Sequence, residues 1–423
     1  MDAFIVRGGG PLTGDVRISG AKNSALKLLA GALLAPGRTT ISNVPDIVDI
    51  RVMAQVMEHL GVTVHRQGEI LTLDVGDEVG DSTPAHLATM LRASIVVLGP
   101  LLARLGHVRI ATPGGCNLGS RAIDLHLSGL ARMGAEIAYG AEHVEARAER
   151  LVGTDIELPY ASVGATENLL MAAVTASGTT RLGNAAREPE IVDLAAFLRS
   201  MGADISGGGT SEIVVRGVDQ LHPTRHTVIG DRIEAGTFAV AAAVTGGTID
   251  IDGVRPDHLR LALSKLVAAG VEIHERDNGL VVQGGGPLRA VDVVTLPFPG
   301  VPTDLLSLFL LLCSQAQGTA MLTENVYESR FSVIEELVRL GADIHLEGHH
   351  AIVRGPRALQ GTVVRATDLR AGAALVLAGL VAEGETVVTD PYHVDRGYTD
   401  FAARLRTLDA DVHRVDVAVA GVA

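Results

Sequence analysis

Ionisable and hydroxyl side chains interrupt the apolar stretches of this sequence at points where helices are predicted to begin. They occur at Lys22 and Asn23, Arg92, Ser162 to Thr166, Asp231 and Arg232, Asp304, and Asp368 with Arg370. Helix N-termini present free N–H groups and partial positive charge, so they favour anions. If several of these helix ends converge, they form an electropositive site for an anionic ligand.

Helix capping is the alternative explanation for some of these residues. Asp and Ser are preferred N-caps because their side-chain oxygens accept hydrogen bonds from the first free N–H groups. Capping and ligand binding are therefore equally good interpretations of Asp231, Asp368 and Ser162.

The cations need another explanation. A cation at a helix N-terminus opposes the helix dipole, so capping does not account for Lys22, Arg92 or Arg370, and we predict that these side chains bind a ligand. Arg330 and Arg396 also lie in predicted loops, and guanidinium groups bind carboxylate or phosphate through paired hydrogen bonds. Taken singly, each late arginine is better explained by a surface salt bridge.

A loop rich in glycine surrounds one of the two cysteines. Residues 113–121 have the sequence PGGCNLGSR, which predicts an exposed loop around Cys116. A thiol beside Arg121 would have a lowered pKa and could act as an acid or a nucleophile. An incidental surface cysteine is the alternative. Cys313 lies in LLSLFLLLCSQ and is predicted to be a small buried hydrophobic residue.

Composition excludes several classes of protein. The chain has 423 residues, a formal charge of −14, 3% aromatic residues and no Trp. Wrapping or stacking of nucleic acid is therefore not expected. No residues suggest a metal site, and two cysteines exclude a disulfide framework. The N-terminus does not resemble a signal peptide, and the apolar stretches are too short to span a bilayer, so we expect a cytoplasmic protein without a membrane partner.

Two sequence markers recur together about every 70 residues. The first is a glycine, or its replacement, that ends a predicted helix, at Gly61, Gly134, Gly202, Gly270, Gly341 and Asp409. The second is a glycine that leads a strand, at Gly37, Gly106, Gly178, Gly247, Gly318 and Gly384. Each unit is predicted to run helix, strand, helix, strand, strand. Its first helix is apolar nearly all round and should be buried, which suggests two domains of three units each.

Sequence motifs along the whole chain resemble those of the enolpyruvyl transferase family, in order and essentially end to end. They are GAKNS at 20–24, LRASIVVLGPL at 91–101, PGGC at 113–116, SVGATEN at 162–168, NAAREPEIVD at 184–193, DRIEAGTF at 231–238, LPFPGVPTDL at 296–305, ATDLRAGAALVLAG at 366–379 and HVDRGY at 393–398. The resemblance implies a two-domain inside-out α/β barrel built from six βαβαββ repeats. By analogy, one domain spans 21–229, the other joins 1–20 to 230–423, and the active site lies in the cleft between them.

The resemblance also implies a reaction. The branch of the family with a PGGC loop transfers the enolpyruvyl group of phosphoenolpyruvate to the 3′-hydroxyl of UDP-N-acetylglucosamine and releases phosphate, the first committed step of peptidoglycan synthesis. The reaction is an addition followed by an elimination. It needs an acid, a base and fixed cations, but no cofactor and no metal.

The resemblance assigns roles residue by residue. Lys22 and Asn23 would hold phosphoenolpyruvate together with Arg121, Arg370 and Arg396. The residues implied to hold the nucleotide sugar are Arg92, Arg121, Ala122, Ile123, Asp124, Leu125, Ser162, Val163, Asp304 and Val326. Asp304 would accept the proton of the 3′-hydroxyl, Cys116 would be the general acid on a closing loop, and Arg330 would complete the ring of cations.

Departures from the family pattern keep two alternatives open. Ala122 stands where the family usually has Pro, and Tyr160 stands where many members have Lys. The first alternative is a paralogous transferase that uses another uridine nucleotide, such as UMP, in specialised metabolism. The second is a non-catalytic nucleotide-sugar binding protein, although the intact Lys22, Cys116 and Asp304 favour an enzyme. The sequence gives no oligomeric state.

Overall fold

The protein has a mixed α/β fold in a computed structural model that describes residues 2–111 and 123–416. The chain divides into two compact units. The contiguous unit comprises Gly20–Ile229, and the two-segment unit comprises Met1–Ser19 together with Gly230–Ala423. Three residues implied by the family resemblance, Cys116, Arg121 and Ala122, lie outside the described residues.

The strands alternate with helices along the chain. In chain order the strands are β1 (Asp2–Arg7), β2 (Thr13–Arg17), β3 (Gly37–Ser42), β4 (Thr63–Gln67), β5 (Ile70–Val75), β6 (His107–Ala111), β7 (Glu136–Tyr139), β8 (His143–Arg147), β9 (Asp155–Glu157), β10 (Thr179–Gly183), β11 (Asp204–Ser206), β12 (Glu212–Arg216), β13 (Arg225–Thr227), β14 (Thr248–Asp252), β15 (Glu272–Arg276), β16 (Gly279–Gln283), β17 (Val293–Val294), β18 (Gly318–Thr323), β19 (Asp343–Glu347), β20 (His350–Gly355), β21 (Val363–Arg365), β22 (Glu385–Thr389) and β23 (Asp411–Asp416).

The α-helices are α1 (Lys22–Gly31), α2 (Val48–His59), α3 (Ala85–Met90), α4 (Leu98–Leu105), α5 (Asp124–Arg132), α6 (Val163–Ala173), α7 (Pro189–Ser200), α8 (Arg232–Thr245), α9 (Arg260–Ala268), α10 (Leu306–Ser314), α11 (Ile334–Arg339), α12 (Leu369–Val381), α13 (Tyr392–Asp395) and α14 (Phe401–Arg406). Short 3-10 helices occupy Ala32–Leu34, Arg92–Val97, Pro256–His258, Thr303–Leu305 and Glu328–Val333.

Each unit contains three small sheets among its described residues. In the contiguous unit their strand orders are β13-β3-β5-β4, β6-β8-β7 and β11-β12-β10-β9. In the two-segment unit they are β15-β16-β14-β2, β17-β18-β20-β19 and β21-β22-β1-β23. Each of these sheets has two edge strands, so none closes into a barrel within the described part of the chain. Strand β1 pairs antiparallel with both β22 and β23, so strands from opposite ends of the chain complete one sheet.

Apolar helices form the cores of both units, as their sequences predict. In the two-segment unit, α8, α10 and α12 pack against one another, and every residue of α10 is buried. In the contiguous unit, α1 and α6 are buried along nearly their whole length. Each unit has its own hydrophobic cluster. A helix that is apolar nearly all round has no face that is stabilised by contact with water, so nearly all of its surface is buried.

The glycines of the first sequence marker end helices in the left-handed conformation. Their φ angles are +88° at Gly61, +94° at Gly134, +105° at Gly202, +99° at Gly270 and +104° at Gly341, and Asp409 replaces the glycine at +69°. Glycine adopts this conformation without steric cost, and aspartate is one of the few other residues that tolerate it. The predicted role of this marker is confirmed. In the described part of the chain, no helix combines the length and the apolar character needed to cross a membrane.

Candidate active site

Lys22 begins the buried helix α1 and forms an ion pair with Asp49 in the first turn of α2. Its Nζ lies 2.7 Å from Asp49 Oδ2, and both side chains are buried. The carboxylate offsets the unfavourable position of a cation at a helix N-terminus. Asn23 follows Lys22 and is half-buried. Sequence analysis did not identify Asp49, because nothing in the sequence relates a residue of α2 to the start of α1.

A second lysine of α1 supports this helix from inside the core. Lys27 Nζ donates a hydrogen bond to the backbone oxygen of Asn23 at 2.8 Å and lies 3.3 Å from Glu167 Oε2 on α6. Burial raises the pKa of the Glu167 carboxyl to about 7; Lys27 opposes this rise, and the nearby carboxylates of Glu190 and Glu188 add to it. The fixed carbonyl of Asn23 and the buried ion pair together restrain the first turn of α1.

The predicted residues of α5 and α6 lie close together. Ser162 is the N-cap of α6, and its hydroxyl accepts a hydrogen bond from Ala165 N at 3.3 Å, so its capping role is confirmed. A methyl group on Gly164 would lie only 3.2 Å from Cε1 of His126 in the first turns of α5. Helices α5 and α6 therefore pack closely at His126 and Gly164.

Asn168 links this part of the contiguous unit to the segment that begins at Arg92. Its Nδ2 donates to the backbone oxygen of Ile95 at 2.9 Å and lies 3.0 Å from His126 Nδ1. Its Oδ1 accepts from Gly99 N at 2.5 Å. The buried amide therefore connects α4, α5, α6 and the 3-10 helix Arg92–Val97. Arg92 is the first residue of that 3-10 helix.

Three of the predicted site residues meet in the two-segment unit. Arg370 Nε donates to Asp304 Oδ1 at 2.9 Å, and an Arg330 nitrogen lies 3.5 Å from the same oxygen. Arg330 also lies 3.5 Å from Asp368, which caps α12 by accepting hydrogen bonds from Arg370 N and Ala371 N. Two guanidinium groups thus converge on one carboxylate, an arrangement that favours anionic partners.

Arg370 is completely buried and has a second polar contact. Its Nη1 donates to the phenol oxygen of Tyr398 at 3.2 Å, and that oxygen lies 2.9 Å from Thr237 Oγ1. Burial alone would lower the pKa of Arg370, but Tyr398 and the carboxylates of Asp304 and Asp231 raise it above its ordinary value. The guanidinium group therefore stays charged in the core.

Arg396 and Val326 lie in the same unit. Arg396 is buried at the end of α13, and a methyl group on the following Gly397 would lie 3.8 Å from Arg370 Nη1. Burial lowers the pKa of His393, and the charge of Arg396 lowers it further. Val326 is half-buried, and its N–H donates to Glu324 Oε1 at 2.6 Å. Sequence analysis did not identify Glu324 or Tyr398.

The structure tests some of the alternatives left open by the sequence. Asp231 and Asp368 cap α8 and α12, so the capping interpretation is confirmed for both. Cys313 is fully buried, and burial raises the pKa of its thiol to about 11, as expected for a small hydrophobic residue. Within residues 2–111 and 123–416, no group of three or more His, Cys, Asp or Glu side chains could hold a metal ion.

Comparison with known proteins gives one consistent relationship. The sequence profile of the family described as EPSP synthase (3-phosphoshikimate 1-carboxyvinyltransferase) matches residues 6–405. A relative from Corynebacterium jeikeium and one from Mycobacterium tuberculosis are both named UDP-N-acetylglucosamine 1-carboxyvinyltransferase. Each is 49% identical to this chain, over 98% of this chain and 99% of the relative.

Solved structures with similar folds belong to the same group of proteins as these sequence relatives. The enolpyruvyl transferase NikO from Streptomyces tendae has a TM-score of 0.89 and 30% sequence identity, and the match covers 98% of both chains. An EPSP synthase from Acinetobacter baumannii has a TM-score of 0.76 at 19% identity, over 98% of this chain and 100% of that one. The second similarity concerns the fold alone.

Proposed function

This chain belongs to the EPSP synthase family, and we propose that it transfers the enolpyruvyl group of phosphoenolpyruvate to the 3′-hydroxyl of UDP-N-acetylglucosamine, with release of phosphate. The observation that carries this proposal is the 49% identity, over 98% of the chain, to relatives named for that reaction. The protein is then a transferase for the first committed step of peptidoglycan synthesis and acts in cell wall biogenesis.

The proposed reaction includes three proton transfers. The 3′-oxygen forms a bond to C2 of phosphoenolpyruvate while its own proton leaves and C3 gains a proton, which gives a tetrahedral ketal. C3 then loses a proton, the double bond forms again, and the bond from C2 to the phosphate oxygen breaks. Each step needs a positioned acid or base. Fixed cations stabilise the phosphate and carboxylate charges throughout.

Asp304 is the proposed proton acceptor for the 3′-hydroxyl. Its carboxylate is 2.9 Å from a guanidinium nitrogen of Arg370, and Arg330 lies next to it, which holds it in one orientation. Cys116 is the proposed general acid. Its role rests on the family resemblance, because it lies outside the described residues.

Lys22, Asn23, Arg370 and Arg396, together with Arg121, are the proposed ligands of phosphoenolpyruvate. Lys22 and Arg370 are buried cations held in place by ion pairs with Asp49 and Asp304, so they need little reorganisation when an anion binds. The proposed nucleotide-sugar ligands are Arg92, Arg121 to Leu125, Ser162, Val163, Asp304, Val326 and Arg330.

The finer architecture is also part of the proposal. Six βαβαββ repeats, three in each half of the chain, would form two inside-out α/β barrels, with domains at 21–229 and at 1–20 plus 230–423. Element order supports this view: α8, β14, α9, β15 and β16 follow the order helix, strand, helix, strand, strand, and α10, β18, α11, β19 and β20 follow it again.

An acceptor screen tests the function. Phosphate release from phosphoenolpyruvate is measured with UDP-N-acetylglucosamine, with UMP and without acceptor. We expect release with UDP-N-acetylglucosamine. Release with UMP alone would select a paralogous transferase, and absence of release in every arm would leave a nucleotide-sugar binding protein.

A further inference from the structure

Glu324 is a buried carboxylate that the proposed mechanism does not use. It follows β18 and has 1% of its surface exposed. Four donors surround its two oxygens, and all four hydrogen bonds are between 2.6 and 2.8 Å long. A buried carboxylate is costly unless donors compensate it, so this arrangement fixes the position of every donor that takes part.

The two oxygens of Glu324 hold two different segments. Oε1 accepts from Thr295 Oγ1 at 2.7 Å and from the backbone N–H groups of Val326 and Tyr327 at 2.6 and 2.8 Å. Oε2 accepts from Thr303 Oγ1 at 2.7 Å. One oxygen therefore fixes the turn that contains Val326, and the other fixes the residue that precedes Asp304.

The hydroxyl of Thr303 continues the contact to Arg330. Thr303 Oγ1 donates its proton to Glu324 Oε2 and accepts a hydrogen bond from Arg330 Nε at 3.3 Å. A guanidinium group has no acceptor, so these donor and acceptor roles cannot be exchanged. Arg330 in turn lies 3.5 Å from Asp304. The Glu324 carboxylate thus orients the Thr303 hydroxyl, and that hydroxyl in turn accepts a hydrogen bond from Arg330, which lies beside Asp304.

We propose that Glu324 is a positioning residue for the acceptor side of the reaction: through Thr303 it fixes Asp304 and Arg330, and through its other oxygen it fixes Val326. This inference rests on the proposed function. It differs from a purely structural role in one respect. A structural role depends on all four hydrogen bonds, whereas positioning of Asp304 depends on the single bond from Oε2 to Thr303.

Glu324→Gln separates the two oxygens. The amide oxygen is expected to keep the three donors of the Oε1 position, so the amide nitrogen faces Thr303. The Thr303 hydroxyl then loses the acceptor for its proton and is released from its fixed orientation. We expect kcat with UDP-N-acetylglucosamine to fall about tenfold or more, while KM for phosphoenolpyruvate changes by less than about threefold.

Three single variants and one double variant complete the experiment. Thr303→Val should reproduce the loss of kcat, and Thr303→Ser should restore most of it, because serine keeps the hydroxyl. Thr295→Val removes a donor from the other oxygen, and should lower the unfolding free energy but reduce kcat by less than about threefold. Combining Glu324→Gln with Thr303→Val should cost no more than either change alone, since both interrupt the same contact.

Several outcomes would overturn the inference. An active wild-type protein whose Glu324→Gln variant keeps kcat within about twofold would contradict it and leave the proposed function intact. A loss of kcat in Thr295→Val as large as that in Thr303→Val would show that Glu324 is only structural. A folded wild-type protein inactive with every acceptor would overturn the proposed function and this inference with it. Urea unfolding and circular dichroism of each variant identify changes that only disrupt folding.

Discussion

The ammonium group of Lys27 lies 3.3 Å from Oε2 of Glu167, and both residues are buried in the contiguous unit. Glu167 is completely buried, and its carboxyl has a pKa of about 7 in place of the ordinary 4.5, chiefly because burial disfavours the charged form. Lys27 also holds the backbone oxygen of Asn23. The protonation state of Glu167 is therefore connected to the helix that carries two of the proposed phosphoenolpyruvate ligands.

Glu167 should make stability depend on pH. The folded protein binds this proton more tightly than the unfolded chain, so its contribution is complete below pH 4.5 and is lost as pH rises through 7. The difference amounts to about 3 kcal/mol. Glu167→Gln resembles the protonated form, so the stability of the wild type relative to this variant should fall by this amount between pH 4.5 and 8. Urea unfolding across that range measures it.

The control is Glu212→Gln, which changes an exposed glutamate in the same unit. Its stability should run parallel to that of the wild type at every pH. If the stability of Glu167→Gln also changed with pH in parallel with that of the wild type, the raised pKa could not be assigned to Glu167.

Variants of Lys22 and Asp49 should separate the contribution of this ion pair to stability from the role of Lys22 in turnover. Asp49→Asn removes the carboxylate 2.7 Å from a buried ammonium group and should lower the unfolding free energy by about 3 kcal/mol. Adding Lys22→Met should recover most of that loss but leave phosphate release below detection. Lys265→Met, at a half-buried lysine of the other unit, is the matched control and should retain turnover. A double variant that regains activity would remove Lys22 from its proposed role.

Asp304 should be needed for the chemical step. Asp304→Asn keeps the shape of the side chain but cannot accept the proton of the 3′-hydroxyl, so kcat should fall by about 100-fold or more with both substrates still bound. Steady-state kinetics and equilibrium binding of UDP-N-acetylglucosamine measure the two effects. Asp292→Asn, at an exposed carboxylate of the same unit, should leave kcat unchanged. A near-normal rate for Asp304→Asn would refute the proposed base.

Alkylation by an epoxide phosphonate such as fosfomycin should distinguish the two cysteines. Cys313 is buried, and its raised pKa of about 11 keeps it a neutral thiol, so it should not react. Cys116→Ser should abolish labelling and most turnover, whereas Cys313→Ala should retain both. Intact-protein mass spectrometry counts the adducts. Labelling that persists in Cys116→Ser would exclude Cys116 as the reactive thiol.

Local features of the sequence predicted much of the fold. The recurring helix-ending glycines were identified from spacing alone, and even Asp409, which breaks the glycine pattern, adopts a positive φ angle. Capping by Asp231 and Asp368 was one of two interpretations that the sequence left open, and it could be proposed because a cap and its helix are adjacent in sequence. Burial of the apolar helices also followed from their composition.

The partners of the candidate site residues could not be predicted in the same way. Asp49 on α2 contacts Lys22 on α1, and Glu324, which follows β18, contacts Thr303 in a 3-10 helix. Such pairs depend on how helices and strands pack in three dimensions, and the hydrophobic periodicity of a sequence does not reveal that packing. No sequence motif distinguishes Glu324 from other glutamates. Its importance is visible from the four hydrogen bonds that its buried carboxylate accepts.

The position of β1 between β22 and β23 has a consequence for biosynthesis. The contiguous unit, Gly20–Ile229, has all its strands as soon as that stretch has left the ribosome. Strand β1 emerges first but must wait for partners near residues 385 and 411, so the two-segment unit matures last. We expect stalled nascent chains of about 270 residues to protect the contiguous unit from protease while the first twenty residues stay cleavable.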